Sequence, residues 1–148
     1  MIPKAVHQLL ELKQLRRRRA EETLQVRHSA LGKAAAAVDT ALTELRTWQQ
    51  DRPRREAALY DALIGETVAV ADLEEVKAKI ASLHAYEQVL ERRLDAALTE
   101  GHQRLQAREE AHKAARDANR EVAKFENLVR SLAVGDTAEE ERAAESEL

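Results

Sequence analysis

From Asp72 to Leu132 the chain runs about sixty residues without a proline, and apolar residues recur on two interleaved seven-residue series. One reads Leu73, Ile80, Glu87, Leu94, Gly101, Arg108, Ala115, Val122, Val129. The other reads Val76, Leu83, Leu90, Ala97, Arg104, Ala111, Ala118, Phe125, Leu132. Counting alanine, only Glu87, Gly101, Arg104 and Arg108 break the pattern. A period of 3.5 residues held this long keeps one narrow seam on one side of a helix, the condition for a coiled coil. At about 1.5 Å per residue such a helix is roughly 90 Å long. It cannot cover its own seam, so it needs a partner helix.

The rest of the chain supplies one. Pro3 suits the first turn of a helix, where its missing N–H is not needed. Leu24, Leu31, Val38 and Leu45 then fall seven apart, interleaved with Ala20, Ala34, Ala41 and Trp48. The same series reach back to Leu10 and Val6 through Lys13, Arg17 and Arg27, a poorer seam. Pro53, within Arg52-Pro53-Arg54, removes an N–H and clashes with the preceding turn, so a break or kink is expected there. A short amphipathic piece (Leu59, Tyr60, Leu63, Ile64) leads to a stop at Gly65-Glu66-Thr67. Asp72 and Glu75 have the spacing of a capping box, with Asp72 as the N-cap accepting from the Glu75 N–H.

If the chain folds back near residue 67 or 68, positions whose numbers sum to about 135 lie opposite each other. Leu45 then faces Leu90, Leu24 faces Ala111, Leu10 faces Phe125, and Arg27 falls near Arg108. The polar interruptions of the two seams coincide in that register. The expected fold is therefore all-α: a long antiparallel two-helix coiled-coil hairpin over residues 1–134. Its parts are a helix 3–64 broken near 53, with a kink or short helix within 51–65, a loop 65–71 and a helix 72–132. Residues 135–148 are acidic and aperiodic, and are expected to be a disordered tail.

Composition closes off other classes. Charged residues make up 34% and aromatics 3%, which suits a thin helix–helix seam better than a multilayer core. No cysteine is present, so disulfide and thiolate chemistry are out. No apolar run approaches a membrane span, and Met1-Ile2-Pro3-Lys4 does not resemble a signal peptide, so a cytoplasmic protein without membrane insertion is expected. The sequence has no glycine-rich phosphate loop or nucleophile elbow. Glu109-Glu110-Ala111-His112 holds a single Glu-x-x-His, whereas di-iron bundles need two. The expectation is no enzyme, no cofactor and no metal.

Charge is unevenly placed: residues 1–55 carry +6, residues 56–134 carry −4 and residues 135–148 carry −5, giving the net −3. The run Arg16-Arg17-Arg18-Arg19 is open to three readings: a solvated helix end, a contact for an acidic protein, or a phosphate contact. The first is favoured and the last least, because the aromatic interleaving of a single-strand nucleic-acid binder is missing. Nucleic acid is not an expected partner. Trp48 is read as seam packing near the break, Phe125 as core, and Tyr60 and Tyr86 as either packing or partner contacts.

Three stretches in order resemble the YscO/HrpO (SctO) proteins of type III secretion, relatives of flagellar FliJ. They are Trp48-Gln49-Gln50-Asp51-Arg52 with Arg55-Glu56-Ala57-Ala58-Leu59-Tyr60-Asp61, then Asp72-Leu73-Glu74 with Ile80-Ala81-Ser82-Leu83, then Lys124-Phe125-Glu126-Asn127-Leu128-Val129-Arg130 before the acidic end. The resemblance implies a non-catalytic central stalk that links the type III secretion ATPase to the cytoplasmic domain of the export gate, peripheral to the apparatus at the inner membrane. Some members also bind secretion chaperones. By position, the gate contact would fall on Val76, Lys79, Ile80 and Leu83. The basic end, with Arg16, Arg18 and Arg19, is the element expected to meet the ATPase. The alternative is a coiled-coil adaptor or chaperone with no link to an ATPase, and behind it a basic-helix nucleic-acid binder.

Overall fold

The computed structural model describes residues 2–65 and 67–146. Two helices account for nearly all of them: α1, Lys4–Asp61, and α2, Val70–Ser146. The expected all-α two-helix hairpin is the observed fold. Every member of the two α2 series except Leu73 is buried or half-buried, including the polar interruptions. On α1 the same holds for both series from Val6 and Leu10 to Trp48, except at Arg27. Periodicity identified the buried stripe because only one face of each helix has another helix to cover it.

The helices form two compact units. Unit 1 takes residues 1–29 and 105–148; unit 2 takes Ala30–Arg104. In unit 2, Trp48 reaches Leu83 and Arg52 reaches Glu87, pairs whose numbers sum to 131 and 139. In unit 1, Lys13 contacts Glu121 and the Phe125 ring, with sums of 134 and 138. Both units are antiparallel and straddle the expected sum of about 135. The most enclosed side chains are Leu90 in unit 2 and Val122 in unit 1, at 2% and 1% exposure.

Three boundaries differ from expectation. First, α1 does not break at Pro53; it stays helical to Asp61. A proline there costs about 3 kcal/mol in a free helix. Here contacts to α2 straddle it: Trp48 and Arg52 on one side, and Glu56, whose carboxylate meets His84 at 2.8 Å, on the other. These cross-helix contacts hold the turns on both sides of Pro53 against α2.

Second, Asp72 is not the N-cap. The cap position is Ala69, whose carbonyl accepts from the Asp72 and Leu73 amides at 3.1 and 3.3 Å. The Asp72 carboxylate reaches back to the Ala69 N–H at 3.3 Å. It thus fills the acidic N3 place of a capping box and favours the positive helix start. The connection spans residues 62–69, earlier than the expected 65–71, and Glu66 within it lies outside the described residues. Bonds from Leu63 to Tyr60 and from Ile64 to Asp61 tighten the end of α1 before Gly65, whose φ of +82° suits glycine.

Third, residues 135–146 are helical, not a disordered tail; the last two residues of that expected tail lie outside the described residues. Alanine, glutamate and arginine all favour helix, and a glycine without a proline costs only about 1 kcal/mol, so Gly135 does not stop α2. The Thr137 hydroxyl also bonds back to the Ala133 carbonyl at 2.9 Å.

Candidate interaction site

Unit 2 gathers its chemistry just before the turn. Seven residues beyond Leu45, the α1 seam puts Arg52 where an apolar residue would stand, and the α2 seam puts Glu87 opposite. The Arg52 guanidinium donates to Glu56 at 2.8 Å and to Glu87 at 3.4 Å, while His84 Nε2 lies 2.8 Å from the same Glu56 oxygen. The bond to Glu56 comes first among the influences holding Arg52 above its ordinary pKa. Partial burial opposes it, and the nearby Glu87 and Glu56 charges reinforce it. A cation on the seam is thus matched by two carboxylates.

Beside this layer stands an aromatic corner. Trp48 is half-buried, donates its indole N–H to the Leu83 carbonyl at 3.3 Å, and meets Tyr86 edge-on with centroids 4.8 Å apart. The Arg55 guanidinium lies 5.0 Å from the centre of the Trp48 ring and pairs with Asp51 at 2.6 Å. Trp48 therefore packs on the seam, as expected. Tyr86 packs on one side and keeps 43% of its surface, while Tyr60 is half exposed at 50%.

Next to the corner an open groove of about 490 Å³ runs between the helices. Ala58, Leu59, Ala62 and Leu83 form its apolar lining, Ser82 adds a hydroxyl, and Arg55 and Lys79 stand at its margins. Small residues let the helix surfaces dip, and the two cations beside the dip are each paired along their own helix, Arg55 with Asp51 and Lys79 with Glu75.

Two of the four residues expected at the gate contact, Lys79 and Leu83, line this groove. Val76 does not qualify: it is 7% exposed, held in the seam by the pattern that marked it as apolar. Ile80 is half-buried, and Lys79 also pairs with Glu75 at 3.3 Å. Ala58, Ala62 and Ser82 were not singled out from sequence, because residue type says little about which small side chains border a dip. The Arg52–Glu56–His84–Glu87 layer was also missed, although extending the Leu45 series by seven residues reaches Arg52.

Arg16, Arg18 and Arg19 lie in unit 1, and all three are exposed. Arg17 is half-buried, as its place on the seam series required. Phe125 is half-buried with the Lys13 ammonium 5.4 Å from its ring centre, so it is a partly open cation–π site rather than sealed core. Arg108 Nε is buried with no hydrogen-bond partner among the described residues. Among the described residues no group of His, Cys, Asp or Glu could hold a metal ion. No helix among them is long and apolar enough to cross a membrane.

In fold, the chain is similar to the crystal structure of type III secretion protein YscO from Vibrio parahaemolyticus, with a TM-score of 0.86. The match covers 97% of this chain and 90% of that one at 22% identity. No protein of curated function matches the sequence. The family model described as type III secretion protein YscO matches residues 6–148. All of α2 and all but the first two residues of α1 fall within that match, and the chain belongs to the YscO family of type III secretion proteins.

Proposed function

We propose that this chain is a non-catalytic stalk protein of a type III secretion apparatus. It couples the export ATPase to the cytoplasmic domain of the export gate, works at the cytoplasmic side of the inner membrane, and has secretion chaperones as further partners. Membership of the YscO family carries the reading. The surface chemistry supports it: exposed arginines in unit 1 suit an acidic partner, and an apolar groove bordered by paired cations in unit 2 suits a second, different one.

In this reading Arg16, Arg18 and Arg19 meet the ATPase. The exposed part of the gate contact is Lys79 with Leu83 and the half-buried edge of Ile80, and Val76 acts only by holding the helices together. The test is to add the purified protein to the cognate type III secretion ATPase and to the cytoplasmic domain of the gate. The wild-type chain raises ATPase turnover and binds the gate domain. Charge reversal at Arg16, Arg18 and Arg19 lowers the first and spares the second; Lys79→Glu does the opposite. If neither set of substitutions changes either readout, the reading fails.

A further inference from the structure

The two helices are unequal at their free ends. The first helical residue of α1 is Lys4, and the unit 1 register, with sums of 134 and 138 at Lys13, sets Lys4 level with residues of about 130–134. α2 continues to Ser146, about three turns past any turn of α1. A lone helical segment of this length is marginal in water, and Gly135 weakens it further. Carboxylates crowd its end, where the helix dipole disfavours them. Such an overhang gains most from something packed along it.

One face of the overhang reads Val134, Ala138, Glu141, Glu145, spaced four, three and four. Val134 is 69% exposed. On α1, just off the seam, Leu9, Leu12, Arg16 and Arg19 are spaced three, four and three, and all are exposed. Both stripes run from apolar to charged in the N-to-C direction, with opposite charges. They match only if the two helices run parallel. Within one chain α1 and α2 run antiparallel, so a chain's own α1 cannot be the mate. A second copy turned end for end by a two-fold axis has the required direction. Its overhang extends beside this α1 while this overhang extends beside its α1.

We propose that a second copy of this chain docks here. The surface is Leu9, Leu12, Arg16 and Arg19, and the occupant is the other copy's α2 end, with Val134 and Ala138 on the leucines and Glu141 and Glu145 on the arginines. The contact is isologous, so it closes as a dimer rather than growing. The dimer does not depend on the stalk reading. If that reading holds, self-association covers Arg16 and Arg19 and withdraws the ATPase-facing end from the free protein.

The test uses the full chain. Sedimentation across a concentration series shows a monomer–dimer equilibrium that weakens in high salt, and Glu141→Lys with Glu145→Lys raises the dissociation constant about tenfold or more. Mixing that variant with Arg16→Glu, Arg19→Glu protein restores a heterodimer. Because the chain has no cysteine, Leu12→Cys protein mixed with Ala138→Cys protein gives a readable cross-link under mild oxidation. Within one chain Ala138 stands about 14 residues beyond the level of Leu12, roughly 21 Å away, so the bond cannot form internally. Circular dichroism shows that the variants keep their helix. A monomer at every concentration, a dimer indifferent to the reversals, or no cross-link between positions 12 and 138 overturns the proposal.

Discussion

The two units use the same antiparallel two-helix packing and treat charge on the seam in opposite ways. Unit 2 packs large aliphatics, Leu45, Val76 and Leu90, and its seam cations are answered, Arg52 by Glu56 and Glu87 and Arg104 by Glu100. Unit 1 packs Ala111, Ala115 and Val122, and its seam carries Lys13, Arg17 and Arg108. Lys13 finds Glu121 and the Phe125 face, but Arg108 Nε is buried without a hydrogen-bond partner among the described residues. Removing a charge from water is costly unless its hydrogen bonds are replaced. Unit 2 is therefore the better-satisfied half, and its chemistry lies in a fixed layer beside a groove. Unit 1 gives up seam stability and keeps its cations near the surface.

Substitutions can break that contrast, and the largest effect should come from the best-packed position. Leu90→Ala costs about 3 kcal/mol in a urea titration, because a 2% exposed leucine leaves a cavity that large neighbours cannot fill. Val122→Ala, at 1% exposure but flanked on its own helix by Ala115 and Ala118, should cost less, about 2 kcal/mol, since alanine-rich surroundings can close in. An equal or larger loss at Val122 would remove the distinction between the two seams.

Arg108→Leu sharpens the electrostatic half of the comparison. It should stabilise the protein by about 1 kcal/mol by removing an unanswered buried donor, measured by the same titration. Glu87→Gln in unit 2 should shift the thermal midpoint the other way, downward, because it leaves Arg52 with one carboxylate fewer. The smallest effect is expected at Gly101. A Cβ there would meet Val38 at 3.7 Å, an ordinary contact, so Gly101→Ala should stabilise α2 by about 0.5 kcal/mol.

Most of the fold was legible because it depends on quantities that a sequence states directly. The two seven-residue series from Val76 and Ile80 to Val129 and Leu132 specified which face of α2 is buried, and those from Ala20 and Leu24 to Leu45 and Trp48 did the same for α1. The register followed once both stripes and one turn were known. Pro53, Asp72 and Gly135 were misread for one shared reason: each was judged by local propensity. At Pro53 the helix is held by cross-helix contacts at Trp48, Arg52 and Glu56. At Asp72 the carboxylate could serve either end of a capping box, and only the observed start at Val70 decides which. At Gly135 helix formers on both sides outweigh one poor residue.

The groove was half legible. Lys79 and Leu83 were named in advance, whereas Val76 belonged to the seam, and apolar periodicity marks buried residues rather than contact residues. The sequence by itself determined the helical class, the two stripes, their antiparallel pairing and the uneven charge, because each is a one-dimensional pattern that the 3.6-residue turn converts into a face. Only the tertiary structure decided that Arg52, Glu56, His84 and Glu87 share one layer, that Ala58, Ala62 and Ser82 open a groove, and that α2 outruns α1 by about three turns. Those facts depend on which atoms of two separate helices come level, and that is set by packing across the seam rather than by either helix alone.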